Sequence, residues 1–273
     1  MATSRSFGVD TEIQIRKFSE AGFEGFFTSW DEDLKKCRAL ADRLGIEYQS
    51  VHAPTNRMSK IWDEGEEGEM FAETLICCVR DCAESGVPII VAHTYGGKGG
   101  TSEGPTELGL ERLCRVVNEA ERHGVKIAFE NTWRLNYLDA VINAFRDNDN
   151  VGFCWDTGHQ LCYKPEADVM ERYGDKLICT HLNDNLGISD PGGRVTSQDD
   201  LHLLPFDGIG DWEYIVDKLN KFGYSDFLTL ELSIENSQNR FDSEKYRNIS
   251  IDQYIAEAYA RACRVAALKN KKK

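Results

Sequence analysis

Short apolar runs alternate with longer amphipathic runs along this chain, and this alternation constrains its fold more than any other feature. Apolar residues spaced as on one face of a helix follow each short run that is rich in β-branched residues. We predict eight strands: Arg5–Val9, Gly25–Thr28, Ile46–His52, Val87–His93, Val125–Glu130, Val151–Trp155, Lys176–His181 and Phe227–Leu232. Eight strand–helix units in 273 residues predict an α/β protein built as one (β/α)8 TIM barrel.

No composition break divides the chain, so we expect one domain over residues 1–273, with residues 268–273 forming a basic, frayed tail. A doubly wound open sheet is the rival fold, but the glycine fingerprint that usually follows its first strand is absent. The loop Gly96–Gly100 also lacks the spacing of a phosphate-binding P-loop. Lys98 in this loop and Arg194 are the only residues that we nominate as phosphate partners.

The composition excludes several classes of protein. A net charge of -14 disfavours a broad grip on nucleic acid, which needs clustered Lys and Arg. No apolar run approaches the roughly 18 residues of a membrane span, and no secretory signal is evident. The nine cysteines follow no regular framework and include no CxxC pair. We therefore expect reduced thiols, a cytoplasmic protein and no thiolate zinc site.

Polar side chains close the predicted strands. His52, His93, Glu130, Asp156, His181 and Glu231 lie at strand ends, and His159, Asp200 and His202 follow in loops. A single histidine or aspartate at such a place is ordinarily a hydrogen-bonded core residue or a turn residue. All strands of a parallel barrel end on the same rim, however, and several buried carboxylates there would be unsatisfied without a cation. Asp, Glu and His ligands suit Mn²⁺, Mg²⁺, Zn²⁺ or Co²⁺.

Four segments carry a family resemblance: Ala128-Phe-Glu130-Asn-Thr132, Trp155-Asp156-Thr-Gly-His159, His181-Leu-Asn-Asp184-Asn and Leu230-Glu231. They resemble the xylose isomerase-like TIM-barrel superfamily, also known as AP endonuclease family 2. That superfamily contains sugar and sugar-phosphate isomerases and epimerases, inosose dehydratases and endonuclease IV. The resemblance extends from about Phe18 to Glu231.

The resemblance to the keto-sugar epimerases implies one divalent metal, most often Mn²⁺, bound by Glu130, Asp156, His181 and Glu231. It implies that Glu130 and Glu231 also transfer protons through a metal-stabilised enediolate, and that His159 contacts the substrate. The expected partner is a small sugar or sugar phosphate rather than nucleic acid or a membrane. Related barrels often assemble as homo-oligomers.

The endonuclease IV branch implies a different site, in which nine ligands hold three Zn²⁺ and the enzyme cleaves abasic DNA. This chain can supply such a set: His52, His93, Glu130, Asp156, His159, His181, Asp200, His202 and Glu231. The spacing of Asp200-Leu-His202 matches that branch, but the Arg between its Asp and His is missing. A metal-dependent dehydratase or lyase, and a barrel that binds without turnover, are further alternatives.

Three tryptophans follow predicted strands on the same rim. Trp30, Trp62 and Trp133 are candidate walls of a sugar pocket, although packing under loops explains them equally well. The epimerases carry a substrate-binding Arg after the strand that ends in His181. Arg194 is the only Arg in that loop, at a longer spacing, and is the candidate here.

Overall fold

The computed structural model describes residues 1–97, 99–163, 167–236 and 240–271. Its central sheet contains six parallel strands in consecutive order. They are β1 Gly25–Ser29, β2 Glu47–His52, β3 Ile89–His93, β4 Lys126–Glu130, β5 Val151–Asp156 and β6 Leu177–His181. Six of the eight predicted strands are therefore present within a residue or two of their predicted bounds, in the predicted TIM-barrel fold.

The barrel closes through two segments that form bridges instead of full strands. Residues 1–3 lie between β1 and the segment 227–232, where Ala2 N donates to Leu230 O at 2.7 Å and Thr3 N donates to Phe27 O at 3.0 Å. On its other side the segment pairs with the end of β6, because Leu182 N donates to Thr229 O at 2.7 Å. The predicted last strand thus occupies its expected position in the barrel, but it forms isolated bridges instead of a continuous ladder of hydrogen bonds.

The predicted first strand, Arg5–Val9, is wrong. Arg5–Phe7 forms a 3₁₀ helix, with Ser4 accepting a hydrogen bond from Ser6 N at its start. Gly8 ends this helix with φ 67, in the left-handed region that glycine adopts readily. The chain has already completed its part of the barrel at residues 1–3, so Arg5–Phe7 turns away from the sheet toward α1.

Nine α-helices occur in the described residues: α1 Thr11–Ala21, α2 Leu34–Leu44, α3 Glu66–Glu84, α4 Glu107–His123, α5 Leu135–Ala144, α6 Thr157–Tyr163, α7 Val169–Tyr173, α8 Trp212–Lys221 and α9 Ile251–Lys271. α2 starts three residues later than predicted because Asp33 caps it by accepting from Lys36 N. The predicted helix Glu166–Tyr173 starts at Val169, and its first residue lies outside the described part. None of these helices is long and apolar enough to cross a membrane.

The predicted frayed tail is helical as far as Lys271, and residues 272 and 273 lie outside the described part of the chain. α9 packs against α1 and α8. Tyr254, Ile255, Ala258 and Val265 are its buried apolar residues, and their spacing forms one helical face.

A small apolar cluster fills the interior of the barrel and supports the strand ends. It contains Ile89, Val91, Ala128, Cys154 and Cys179. Side chains alternate between the two faces of a strand, so a residue two positions further along points to the same side. Glu130, Asp156 and His181 therefore stand above Ala128, Cys154 and Cys179 at the carboxyl rim of the barrel.

Candidate metal centre

Glu130 is the centre of the site. Its side chain is fully buried at the end of β4, and His93 is its register partner on β3. Its Oε1 lies 3.0 Å from His159 Nδ1, and its Oε2 lies 3.2 Å from His181 Nδ1, 3.3 Å from His52 Nε2 and 3.6 Å from His93 Nε2. Burial opposes ionisation of Glu130, but the surrounding imidazoles outweigh it and hold its pKa well below the usual range.

Glu130, Asp156, His181 and Glu231 converge on one point. Each offers a ligand atom, and these atoms lie within 4.8 Å of one another. His181 Nδ1 is 2.9 Å from Glu231 Oε2 and, as noted, 3.2 Å from Glu130. Within the described residues, both carboxylate oxygens of Glu130 and both ring nitrogens of His181 are nevertheless buried without hydrogen-bond geometry to any partner. Unsatisfied oxygen and nitrogen donors around one point fit a divalent cation.

The ring orientation of three histidines supports the same conclusion. His52 Nδ1 lies 2.7 Å from Ala53 O, His159 Nδ1 lies 2.9 Å from Asn131 O, and His202 Nδ1 lies 3.3 Å from Glu231 O. A carbonyl oxygen only accepts, so Nδ1 carries the hydrogen in each ring. Each Nε2 therefore directs its lone pair at a carboxylate, which is favourable only with a proton or a cation between them. This arrangement is typical of metal-binding histidines.

A second group lies beside the first. His159 Nε2 is 3.1 Å and His202 Nε2 is 3.2 Å from Asp200 Oδ2. The ligand atoms of these three residues also lie within 4.8 Å of one another. Burial lowers the pKa of His202, but the neighbouring Asp200 carboxylate outweighs burial and raises this pKa to about 10. Burial raises the pKa of Asp200, whereas His202 and His159 lower it well below its usual range. In the metal-free protein this group is therefore a protonated, hydrogen-bonded cluster.

All nine residues that the sequence nominates as ligands belong to this connected set. His52, Glu130 and His181 form a further group of three, and His93 completes the surroundings of Glu130. Burial is the largest influence on Asp156 and raises its pKa to about 7, since neighbouring carboxylates add to it while His159 opposes it. A carboxylate that is costly to ionise gains most from a metal ion.

Cys154, Cys179 and His181 form a group that spacing along the sequence does not predict. Cys154 and Cys179 are register partners on β5 and β6. Burial raises the pKa of the Cys154 thiol well above its usual value. All nine cysteines lie in the described part of the chain, and none of them is in a disulfide there.

Two asparagines that we did not nominate hold Asp156 in place. Asn131 donates to Asp156 O and accepts from Asp156 N, both at 2.8 Å, and so joins the ends of β4 and β5. Asn183 Nδ2 donates to Asp156 Oδ2 at 3.1 Å, and His159 N donates to Oδ1 at 2.6 Å. Gly158 allows this packing, because a Cβ there would lie 1.7 Å from Asn183 Oδ1. Their positions within two residues of strand ends were the available sequence signal.

Asp184, also missed, anchors the loop that carries Asp200 and His202. It is fully buried and accepts four N–H hydrogen bonds at 2.8 to 3.0 Å, from Asn185 N, Phe206 N, Gly210 N and Trp212 Nε1. Its backbone also exchanges two hydrogen bonds with Leu203, at 2.9 and 3.0 Å. The loop is therefore fixed to the end of β6.

A cavity of about 1110 Å³ opens beside the candidate metal ligands. The site residues among its lining are His52, His93, Glu130, His159, Asp200, His202 and Glu231. Trp30 also lines it, half-buried, with its Nε1 donating to Asp81 at 2.8 Å. This size is ample for a small organic substrate.

The other proposed substrate contacts lie outside this cavity lining. Trp62 is 1% exposed, donates to Thr94 O at 2.8 Å and packs against Tyr137, so it is a packing residue and not a pocket wall. Trp133 is 47% exposed and contacts Tyr95 and Arg134. Arg194 is exposed in its loop. Lys98 lies outside the described residues.

Fold and site together define a TIM-barrel protein with a cluster of metal-ligand residues at the carboxyl ends of its strands. The chain belongs to the xylose isomerase-like TIM-barrel family, whose model matches residues 15–257. This superfamily contains sugar isomerases and epimerases as well as endonuclease 4-like enzymes, and the group of ligands supports divalent metal binding.

Two curated relatives cover most of the chain. An uncharacterized protein, y4fM, of Sinorhizobium fredii (strain NBRC 101917 / NGR234) is 35% identical over 75% of this chain and 72% of its own length. A probable endonuclease 4 of Nitrosopumilus maritimus (strain SCM1) is 28% identical over 67% of this chain and 70% of its own length.

Solved structures share the fold at low identity. The IolI protein with a binding zinc atom superposes with a TM-score of 0.71 at 18% identity, covering 96% of this chain and 94% of its own. A D-tagatose 3-epimerase-like protein superposes with a TM-score of 0.70 at 22% identity, covering 99% of this chain and 98% of its own.

Proposed function

We propose that this protein is a divalent-metal-dependent sugar isomerase or epimerase. The observation that carries the proposal is the pair Glu130 and Glu231, two carboxylates that share His181 Nδ1 and both line the same cavity. Through an enediolate, isomerisation and epimerisation of sugars require a proton to leave one carbon and to return to the neighbouring carbon or to the same carbon. Two carboxylates beside one substrate cavity suit that transfer.

The residues proposed to hold the metal are Glu130, Asp156, His181 and Glu231. When bound, the metal would polarise the substrate carbonyl and stabilise negative charge on its oxygen. We propose Mn²⁺ because the site resembles that of the keto-sugar epimerases, although the mixed carboxylate and imidazole donors also suit Mg²⁺, Co²⁺ and Zn²⁺.

We assign the principal proton transfer to Glu231. Its side chain is 22% exposed toward the cavity, whereas that of Glu130 is fully buried among four imidazoles. Glu231 can therefore approach a carbon atom beside the substrate carbonyl, accept its proton and return it. Glu130 would also hold the metal, and we propose it as the second proton-transfer group because it lines the same cavity. His159 lines the cavity beside them and is proposed to contact a substrate oxygen.

A phosphodiesterase with several metal ions is the second candidate. The group His159, Asp200 and His202 favours it, because an isomerase with one metal does not need a second set of ligands. The likeness to a probable endonuclease 4 also supports it. In this alternative His159 is a metal ligand and the substrate is abasic DNA.

Metal content and solvent exchange distinguish the two candidates. We expect one divalent metal per chain by mass spectrometry, and incorporation of deuterium at one sugar carbon when a panel of ketoses is incubated in D2O. Glu231→Gln should reduce this exchange by about 10²-fold or more, while the matched exposed control Glu235→Gln retains it. Three zinc ions per chain with cleavage of abasic DNA, or exchange that survives in Glu231→Gln, would contradict the proposal.

A further inference from the structure

The mouth of the cavity has an unbalanced charge. Outside the candidate metal ligands and histidines, the charged residues that line it in the described part of the chain are five carboxylates and two cations. The carboxylates are Asp10, Glu12, Asp31, Glu32 and Asp33. They come from the start of α1 and from the loop between β1 and α2, so two separate parts of the chain surround the opening.

Both cations at the mouth are already paired. Arg5 forms an ion pair with Asp31, and Lys36 forms one with Glu12. Among the described residues that line the cavity, Arg5 and Lys36 are the only Arg or Lys side chains. These five carboxylates therefore outnumber the two cations of the described lining by three, and Lys36, which also lies near Asp33, is already paired with Glu12.

The floor of the same cavity, in contrast, would bind a substrate through a metal cation. Glu130 lines it, is fully buried, and has both oxygens unpartnered among the described residues. A metal there attracts the hydroxyl and carbonyl oxygens of a substrate. A second, anionic group on that substrate would have to lie nearer the mouth, in the field of the excess carboxylates.

We infer that this cavity selects an uncharged sugar and rejects phosphorylated sugars, with the acidic mouth as the specificity determinant. This inference rests on the proposed function and specifies its substrate class. The same field opposes entry of a polyanionic DNA strand, which requires clustered cations at its binding surface. The ion pairs of Arg5 and Lys36 keep both cations from serving as phosphate ligands.

The first test measures the mouth without any turnover. Trp30 lines the cavity next to Asp31, so its fluorescence, isolated as the difference between the native protein and Trp30→Phe, reports access by small quenchers. We expect the neutral quencher acrylamide to be several-fold more effective than the anion iodide, relative to free tryptophan. High salt should narrow this difference. Equal relative quenching at low salt would overturn the inference.

The second test compares a matched pair of substrates. For the metal-loaded protein in D2O, kcat/KM for exchange should be about tenfold or more higher with D-fructose than with D-fructose 6-phosphate. Glu12→Gln and Asp31→Asn, which each free one cation, should shift this ratio toward the phosphate and increase iodide quenching of Trp30. Glu257→Gln removes the same charge from an ion pair on α9, outside the lining, and should change neither.

The outcomes separate the two proposals. Faster exchange with fructose 6-phosphate would overturn the substrate class while leaving the isomerase assignment intact. Absence of exchange with every ketose would contradict the proposed function, and the quenching test would still decide whether the mouth excludes anions.

Discussion

Replacing Gly158 by alanine tests whether the close packing beside Asp156 maintains the metal site. An ideal Cβ at Gly158 would lie 1.7 Å from Asn183 Oδ1, far inside the contact distance of nonbonded atoms. The Asn183 side chain must move, and its 3.1 Å hydrogen bond to Asp156 Oδ2 is then lost. Gly158→Ala should therefore weaken metal binding although residue 158 is not a ligand.

The expected magnitude follows from that one hydrogen bond. A hydrogen bond to a charged group contributes about 1.5–3 kcal/mol. Since about 1.4 kcal/mol corresponds to a factor of ten, the dissociation constant of the metal should rise by about 10- to 100-fold. Gly158 is the second residue of α6, where alanine favours the helix by about 0.5–1 kcal/mol. Poorer helix formation therefore cannot explain the loss.

Titration of the metal by calorimetry, in competition with a chelator, measures the effect. Gly104→Ala is the matched control, because its nearest atom would be 4.0 Å away, and its affinity should be unchanged. In an Asn183→Ala background the side chain that would clash with residue 158 is absent. Adding Gly158→Ala there should change the affinity for the metal by no more than about twofold. An equal loss in both backgrounds would refute the explanation.

Three further predictions concern the metal ions and the loop beside them. Removing the metal with EDTA should lower the melting temperature by about 5 °C or more, as expected for a ligand held at about 100 times its dissociation constant, and re-addition should restore it; no shift would argue against a bound metal. Burial lowers and Asp200 raises the pKa of His202, to about 10, so the metal-free protein keeps this stabilisation at low pH and loses it as pH rises through about 10. The increase in melting temperature on adding metal should therefore grow between about pH 7 and pH 10, whereas an increase that does not depend on pH would contradict the raised pKa. Asp184→Asn should cost about 2–4 kcal/mol in urea unfolding, because its amide group would face N–H donors; a cost below about 1 kcal/mol, no larger than that of the exposed control Asp42→Asn, would mean that Asp184 does not anchor its loop.

Much of the fold was predictable because strands and helices have local signatures. The spacing of apolar side chains placed six strands to within a residue or two, from Gly25–Ser29 to Leu177–His181. The first strand was the failure. Arg5–Val9 has the length of a strand, but residues 2 and 3 pair with Phe27 and Leu230 in its place. These partners are distant in the sequence, so no local pattern reveals the pairing.

The candidate ligands were predictable for a different reason. Parallel strands of one barrel must end on one rim, so polar residues at strand ends converge whatever their separation along the chain. The supporting residues were not predictable in the same way. Asn131, Asn183 and Asp184 lie within three residues of strand ends, yet only the packed structure shows which of their atoms face Asp156 and the loop.

The sequence alone thus determined the barrel, the rim and the chemical types of the candidate metal ligands, since these depend on local periodicity and on the order of elements. Tertiary structure decided which ring nitrogen of each histidine faces a carboxylate and that Trp62 packs inside while Trp30 lines the cavity. It also brought Cys154 beside Cys179. These outcomes depend on strand register and side-chain packing between distant segments, which no local pattern encodes.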